Sequence, residues 1–310
     1  WIALVGFLAL LPAQGYWAIL FVSLLLSVAS TSIMPLTETI AMAGVRRHGL
    51  DYGRMRLWGS ITFIVASFVT GFAVERAGWP VVLWLLIAGS VATVAAGYLL
   101  PRPEAGSASA ASAQKAQPSI RDALALVMSK EFGLFILAVG AAQASHAVFY
   151  TFGVLHWRGQ GISSEWAGVL WAIGVIAEIG LFAYSRAVVE RVGALLLIAI
   201  GALAGAVRWA IMAFDPPLAL LLPLQALHGL TYGASHLGAV HFMSERVPQA
   251  QAGTAQALYA AVTSGIAMGF ATIAAGWLYA RWQGGSYLGM SVMSASGLAA
   301  ALLVSKRKHG

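Results

Sequence analysis

Eight ionisable side chains lie inside, or at the mouth of, long apolar runs: Glu38, Arg56, His146, Glu178, Arg208, His228, His236 and His241. The chain around them is 60% hydrophobic and 9% charged, whereas soluble domains carry roughly 25% charged residues. An ionised group at the centre of a bilayer costs at least ~2.5–3.5 kcal/mol on insertion scales, so such a group faces a cavity or a partner and marks where polar chemistry happens. Two kinds of chemistry are within reach. A Glu and an Arg side by side give a polar solute an acceptor and a planar two-pronged donor. A carboxyl or an imidazole in apolar surroundings can take up and release a proton.

The elements that must carry these groups follow from the apolar runs. A helix crossing the hydrocarbon core needs about 20 mostly apolar residues. Runs of this kind fall at 15–43, 57–75, 80–100, 132–156, 165–185, 193–214, 217–243, 253–280 and 285–305. The fold class is therefore an all-α polytopic membrane protein. A transmembrane β-barrel would show alternating segments of about ten residues, and the chain has none. The 34 Gly and many Ala suit close approach of helices in lipid. With no Cys there are no disulfides, no thiolate chemistry and no Cys metal sites.

The net charge of +7 sits in short loops, which is how topology is set rather than how nucleic acid is bound. One set of loops holds Arg46, Arg47, Arg54, Arg56, Arg102, Lys115, Arg121, Lys130, Arg186, Arg191, Arg246, Lys306, Arg307 and Lys308. The other holds only Arg76, Arg158 and Arg281, with Arg208 left inside a span. The positive-inside bias puts the first set, and the C-terminus, in the cytoplasm.

Within this frame, Glu38 lies one or two turns from the cytoplasmic end of its run, and Arg56 begins the next. The short charged loop Arg46–Asp51 between them lets the two side chains meet. The bland reading is that Arg54 and Arg56 only anchor a helix end. Gln225, His228 and Thr231 share one helix face at i, i+3 and i+6. His146 and Tyr150 form a stripe at i and i+4. Trp58, Phe63, Phe149, Tyr150, Trp171 and Tyr232 are candidates for the wall of an apolar cavity. Each His, taken alone, also fits a hydrogen-bonded packing role.

The stretch from Glu38 through Asp51-Tyr-Gly-Arg-x-Arg-x-Trp-Gly-Ser60 resembles the lactose-permease branch of the major facilitator superfamily, and more closely its phenylpropionate-permease-like proton symporters. Leu224–His236 resembles the same group. The resemblance spans essentially all 310 residues, matching helices three to twelve of that family's two six-helix halves. It implies that Glu38, Arg56 and Phe63 bind substrate, joined here by His146 and Tyr150. It implies that Asp51, Gly53 and Arg54, and Glu190, Arg191 and Gly193 in Val189–Gly193, are structural loop residues. It assigns proton handling to Arg208, Gln225, His228 and the position of Thr231. Two of these depart from the family, which carries Lys where Gln225 stands and Glu where Thr231 stands. Glu178, in mid-span, is the substitute coupling carboxylate, and His236, two turns from His228, is a further proton-handling candidate; a structural Glu178–Arg208 bridge is the competing role.

On this reading residues 1–100 are the remainder of the N-terminal half, residues 101–121 a Ser/Ala/Pro-rich cytoplasmic linker, and residues 122–310 the C-terminal half of six helices. Trp1–Leu11 is half a span ended by Pro-Ala-Gln-Gly, as though a helix began further upstream, with two more before it. The expected function is secondary active transport: proton-coupled uptake of a small organic solute, such as an aromatic acid, by alternating access. The partners are that solute, the proton and the lipid bilayer, with no nucleic acid, no cofactor and no metal, in a functional monomer of a bacterial inner membrane. A drug/proton antiporter and an uncoupled facilitator are the alternatives. The glycine–proline signature of many antiporters is absent from Leu57–Glu75, which favours symport. A membrane-embedded enzyme is the distant rival, lacking H-E-x-x-H, G-x-S-x-G or a P-loop.

Overall fold

Runs as apolar as 81–99 and 194–212 can satisfy their backbone polar groups in lipid only as helices or as a closed barrel. Helix is what forms. The computed structural model describes residues 1–31, 33, 37, 52–99, 120–248 and 251–306, leaving out the side chains of 31, 52–57, 60, 120–123, 186, 252, 253 and 306. All regular structure among the described residues is helical. Among the described residues, five stretches are long and apolar enough to cross a membrane: Val81–Leu99, Lys130–Gly159, Ser164–Ala183, Ala194–Met212 and Thr254–Ser305. The last of these turns at Gln283–Gly285.

The chain divides into two units, Trp1–Ser107 and Ala108–Gly310. The first holds α1 (Ile2–Leu10), α2 (Tyr16–Thr31), α3 (Tyr52–Ala77) and α4 (Val81–Leu99). α1 packs on α2 and α4, and α3 packs on α4. Gly6 lets α1 approach Leu26, and Trp1 Nε1 donates to Tyr98 Oη at 3.1 Å. Few of this unit's large apolar side chains are covered, as expected of helices whose apolar surface meets lipid.

The second unit holds α5 (Ile120–Met128), α6 (Lys130–Ala144), α7 (Ala147–Gly159), α8 (Ser164–Ala183), α9 (Ser185–Val192), α10 (Ala194–Met212), α11 (Leu218–Ala226), α12 (Ser235–Arg246), α13 (Ala252–Ala260), α14 (Ala267–Trp282) and α15 (Ser286–Lys306). Two π-helical segments, Gly229–Ala234 and Ala261–Ile266, interrupt the rods that contain α11–α12 and α13–α14. Small residues set the closest packing. On α10, Ala202 and Ala206 present carbonyls that accept from Ser294 and Ser291 of α15, both at 2.7 Å. Phe135 of α6 stacks on Phe242 of α12 with centroids 4.3 Å apart.

Gly238 of α12 lies so close to α10 that a Cβ there would meet the Ala194 carbonyl oxygen and the Ile198 side chain. A carbonyl cannot swing aside. Gly238→Ala should therefore destabilise the unit by about 1–3 kcal/mol, read as a drop in detergent-solubilised melting temperature. Gly180→Ala, whose new Cβ would meet no neighbouring element within 4 Å, serves as the control. Equal melting of the two variants would contradict the close α10–α12 contact.

Two expectations need correction. Glu190 and Arg191 are not loop residues: they belong to α9, whose apolar side chains Val188, Val189 and Val192 pack on Leu197, Ala234 and Leu237. Only Gly193, at φ 80°, breaks the helix, a backbone that suits glycine. Likewise Gly53 and Arg54 form the first turn of α3 rather than a loop. Glu38, Asp51 and residues 101–119 lie outside the described residues.

Candidate functional site

The rod from Leu218 to Arg246 is disturbed at two places by its own sequence. Pro223 lacks the N–H that a helix interior needs. Gly229 and Gly233 then bracket the π segment. Both glycines face α8: a Cβ at 229 would lie 2.9 Å from the Ala177 carbonyl oxygen, and one at 233 would lie 3.4 Å from Glu178 Cγ. Across the same seam Gly174 makes room for His228. This close approach leaves Glu178 Oε2 3.7 Å from His228 Nε2. The π segment has a second effect. A turn wider than 3.6 residues brings side chains four apart nearly one above another. His228, Tyr232 and His236 accordingly stack in sequence, with centroids 5.4 and 5.9 Å apart and planes within 11° and 13°. His236 Nδ1 then meets Tyr259 Oη at 2.9 Å.

α10 delivers Arg208 to the same place. The guanidinium is fully buried. Nη2 donates to Gln225 Oε1 at 2.6 Å, and Nη1 donates to Thr231 Oγ1 at 3.2 Å and to His228 Nδ1 at 3.4 Å. With Nδ1 accepting, His228 carries its proton on Nε2, toward Glu178. The cation's face rests on Trp209 and Phe149, with Cζ 4.5 and 4.9 Å from the ring centroids. Arg208 Nε and the Gln225 amide nitrogen are buried with no hydrogen-bond partner. The cation is thus wrapped in neutral acceptors, and its link to a carboxylate runs through His228.

The third contribution comes from a break between α6 and α7. Ser145 Oγ donates back to the Ala142 carbonyl at 2.7 Å and accepts from Trp209 Nε1 at 2.9 Å, a local bond that competes with helix continuity. His146 Nδ1 donates to the Gln143 carbonyl at 3.0 Å, so its Nε2 accepts from Thr231 Oγ1 at 3.1 Å. Past the break, α7 sets an aromatic wall. His146 stacks on Tyr150 (5.3 Å), Phe149 on Trp171 (4.8 Å), and Tyr150 lies 5.9 Å from Trp171. Tyr150 is 39% exposed and Trp171 half-buried beside the buried His146 and Phe149, so the wall has an open face.

A buried cation, a carboxylate, three imidazoles and an open aromatic face have the makings of a site for moving polar cargo through apolar surroundings. The sequence profile of the MFS_1 like family matches residues 1–288. The chain belongs to that family. Among its relatives, the probable 3-phenylpropionic acid transporter of Escherichia coli (strain K12) is 33% identical over 291 residues, covering 92% of this chain and 74% of that protein. The maltose permease of Geobacillus stearothermophilus is 29% identical over 302 residues, covering 96% and 74%. The crystal structure of the nucleoside transporter NupG superposes with a TM-score of 0.80 at 20% identity, covering 98% of this chain and 80% of NupG; that likeness is one of fold. The protein is an integral membrane transporter of the major facilitator type, not an enzyme.

The structure brings together seven of the residues singled out from sequence: His146, Tyr150, Glu178, Arg208, Gln225, His228 and Thr231, with His236 one stack further along the rod. Phe63 is 44% exposed on α3, and Arg56 lies on α3 with its side chain outside the description. His241 is half-buried on α12, away from the cluster's hydrogen bonds. The mid-span Glu178 and Arg208 are joined through His228 rather than as a direct bridge. Gln143, Ser145, Trp209 and Tyr259 were missed. All four act as ordinary partners to a neighbour, and no spacing rule marks them.

Proposed function

We propose that this transporter is a proton-coupled symporter that takes up a small aromatic carboxylate by alternating access. The observation that carries the reading is Arg208: a fully buried guanidinium held by neutral groups, beside an open aromatic wall and one imidazole away from a carboxylate. A buried cation without a counter-charge is costly, and a solute carboxylate would relieve that cost. Glu178 gives the arrangement its coupling. An ionised Glu178 repels an anionic solute, so solute and proton enter together. The Escherichia coli relative, whose name specifies 3-phenylpropionic acid, agrees with this solute class. The test is uptake of labelled 3-phenylpropionate by the reconstituted full-length protein, with and without an inward proton gradient. Uptake against a gradient, abolished by a protonophore, supports symport. Equilibration without accumulation would make it a facilitator, and acceleration by an outward-directed solute–proton exchange would make it an antiporter.

The proposal also assigns solute binding to Glu38, Arg56 and Phe63 of the N-terminal half, and treats residues 101–121 as the linker to a six-helix C-terminal half. Arg56→Lys keeps the charge but loses the planar fork, and should raise the KM for uptake about tenfold or more. Arg54→Lys should leave it unchanged. Equal, mild effects at both positions would reduce Arg56 to an anchor. The proposed placement is a bacterial inner membrane, as a monomer with a cytoplasmic C-terminus. Because the chain has no native Cys, single cysteines at 110 and 158 report topology cleanly. Labelling of position 110 by an impermeant reagent from outside intact cells would invert the orientation.

A further inference from the structure

Away from the Arg208 site, the far end of α7 gathers polar side chains around one imidazole. His156 Nε2 lies 2.8 Å from Asp215 Oδ1 and 3.2 Å from the Gln160 amide. The other ring nitrogen, Nδ1, lies 3.1 Å from Tyr279 Oη. Three elements supply these groups: α7, the turn between α10 and α11, and the end of α14. The imidazole is buried and the Asp215 side chain is 56% exposed, so the cluster opens to water on its carboxylate side.

At Nε2 there are more acceptors than protons. Where Nε2 carries the ring proton and gives it to Asp215, Gln160 must turn its amide oxygen inward, and two oxygens share one proton. Where Nε2 is bare and accepts from Gln160, it faces the Asp215 carboxylate lone pair to lone pair at 2.8 Å. A cation at Nε2 removes the conflict. A second observation points to a ligand here. Tyr287 is fully buried, its ring 6.2 Å from that of His156, and its hydroxyl has no hydrogen-bond partner. A buried hydroxyl in that state calls for a water or an ion to complete it.

The frame around the imidazole is rigid. Among the described residues the two non-glycine residues with positive φ are Asp215 (52°) and Gln283 (44°). Next to Gln283, Gly284 packs so tightly that a Cβ there would overlap Asp215 Oδ1 and crowd His156 Nε2. Phe152 of α7 stacks flat on Tyr279, with centroids 4.3 Å apart. Strained backbone of this kind persists where the surroundings over-determine it, as at ligand clamps.

We propose that His156, Asp215 and Gln160 bind a divalent metal ion of the zinc class. An imidazole nitrogen, a carboxylate oxygen and an amide oxygen are donors such an ion accepts, with water in the remaining position. Ligand atoms on a tetrahedral zinc stand about 3.3 Å apart, so Asp215, the exposed member, has to give by about half an ångström. To ligate through Nε2, His156 carries its proton on Nδ1, and Tyr279 Oη turns from donor to acceptor. Metal-binding histidines are oriented by an outer bond of this kind, which makes Tyr279 a positioning residue. The neutral ring keeps one proton throughout, so binding to it releases none. The site goes beyond the sequence expectation of no metal. Among the described residues no three His, Cys or carboxylate side chains gather, so the amide and water complete the set and the affinity is modest. The proposal is independent of what the transporter carries and of whether protons drive it.

The test is calorimetric titration of Zn2+ into the full-length protein, purified through a tag without histidine. One ion per chain should bind, with a Kd on the order of 10 μM. His156→Gln and Asp215→Asn should each weaken binding about tenfold or more, each removing a ligand. Tyr279→Phe removes a single hydroxyl that does not touch the metal, and should also cost about tenfold. It reads out even if Asp215→Asn fails to fold. Saturating Zn2+ should raise the melting temperature of the wild-type protein and leave that of His156→Gln unmoved. His241→Gln, at a half-buried histidine on α12, should leave Zn2+ binding unchanged. The site is overturned if no saturable binding occurs below about 1 mM, or if His156→Gln and Tyr279→Phe bind as the wild type does. An equal loss in His241→Gln also overturns it, since that would mean adventitious binding to surface histidines.

Discussion

Glu178→Gln should abolish uphill accumulation while sparing exchange of solute across the membrane. The proposed symporter crosses the membrane with proton and solute both bound or both absent. Gln has the shape and neutrality of the protonated acid, so the variant can bind solute and shuttle it in both directions. It cannot lose the proton that must leave before the empty carrier returns. A gradient of one pH unit is worth about 1.4 kcal/mol, or about tenfold in solute concentration for one proton per solute. The wild-type protein should approach that ratio and Glu178→Gln should stay near about one, with counterflow close to wild type. The geometry is specific to this residue, whose carboxylate lies 3.7 Å from the His228 imidazole that also meets Arg208. Accumulation at wild-type level in the variant would move the coupling site elsewhere, with His228 and His236 as the next candidates.

Much of this site was legible because its residues are rare in apolar runs. Glu178 and Arg208 stand out where charge is costly, and the i, i+3, i+6 spacing of Gln225, His228 and Thr231 placed them on one face, where all three meet Arg208. The all-α membrane fold followed from the apolar runs in the same way. What could not be read is what depends on distant partners. Asp215 and Tyr279 lie 59 and 123 residues from His156, and a lone His near a helix end gives no sign of either. The break at Ser145–His146 has no Pro or Gly to announce it; it comes from a serine whose hydroxyl binds its own helix and Trp209. The π segment has glycines, but glycines are common throughout the chain, and only the seam against α8 gives Gly229 and Gly233 their meaning. Glu190 and Arg191 were misjudged for a related reason: a charged pair near a glycine resembles a loop until Val188, Val189 and Val192 find a core to cover.

Gln225→Glu should eliminate uptake of a carboxylate solute without unfolding the protein. The Gln225 side-chain oxygen already lies 2.6 Å from Arg208 Nη2, so a carboxylate in its place supplies the counter-charge that the neutral amide withholds. Shape is almost unchanged, and a buried Arg–carboxylate pair with hydrogen bonds in place is near neutral for stability, so the melting temperature should shift by only a few degrees. Binding should change far more. The solute's carboxylate would have to displace an internal one, against a Coulomb term of a few kcal/mol at the effective dielectric of a protein site, on the order of a hundredfold or more in affinity. The neutral amide of the same solute does not compete for the cation, and its relative uptake should rise. The measurement is the ratio of acid to amide uptake in proteoliposomes, beside the melting curve of each protein. A fall in that ratio at unchanged melting temperature places the solute's charge at Arg208. An unchanged ratio removes Arg208 from solute recognition and leaves Arg56 to hold the carboxylate. Arg208→Lys separates the two remaining roles of the guanidinium. A single ammonium cannot serve Gln225, Thr231 and His228 together, so the arrangement by which Arg208 positions His228 beside Glu178 should fail even though the charge stays.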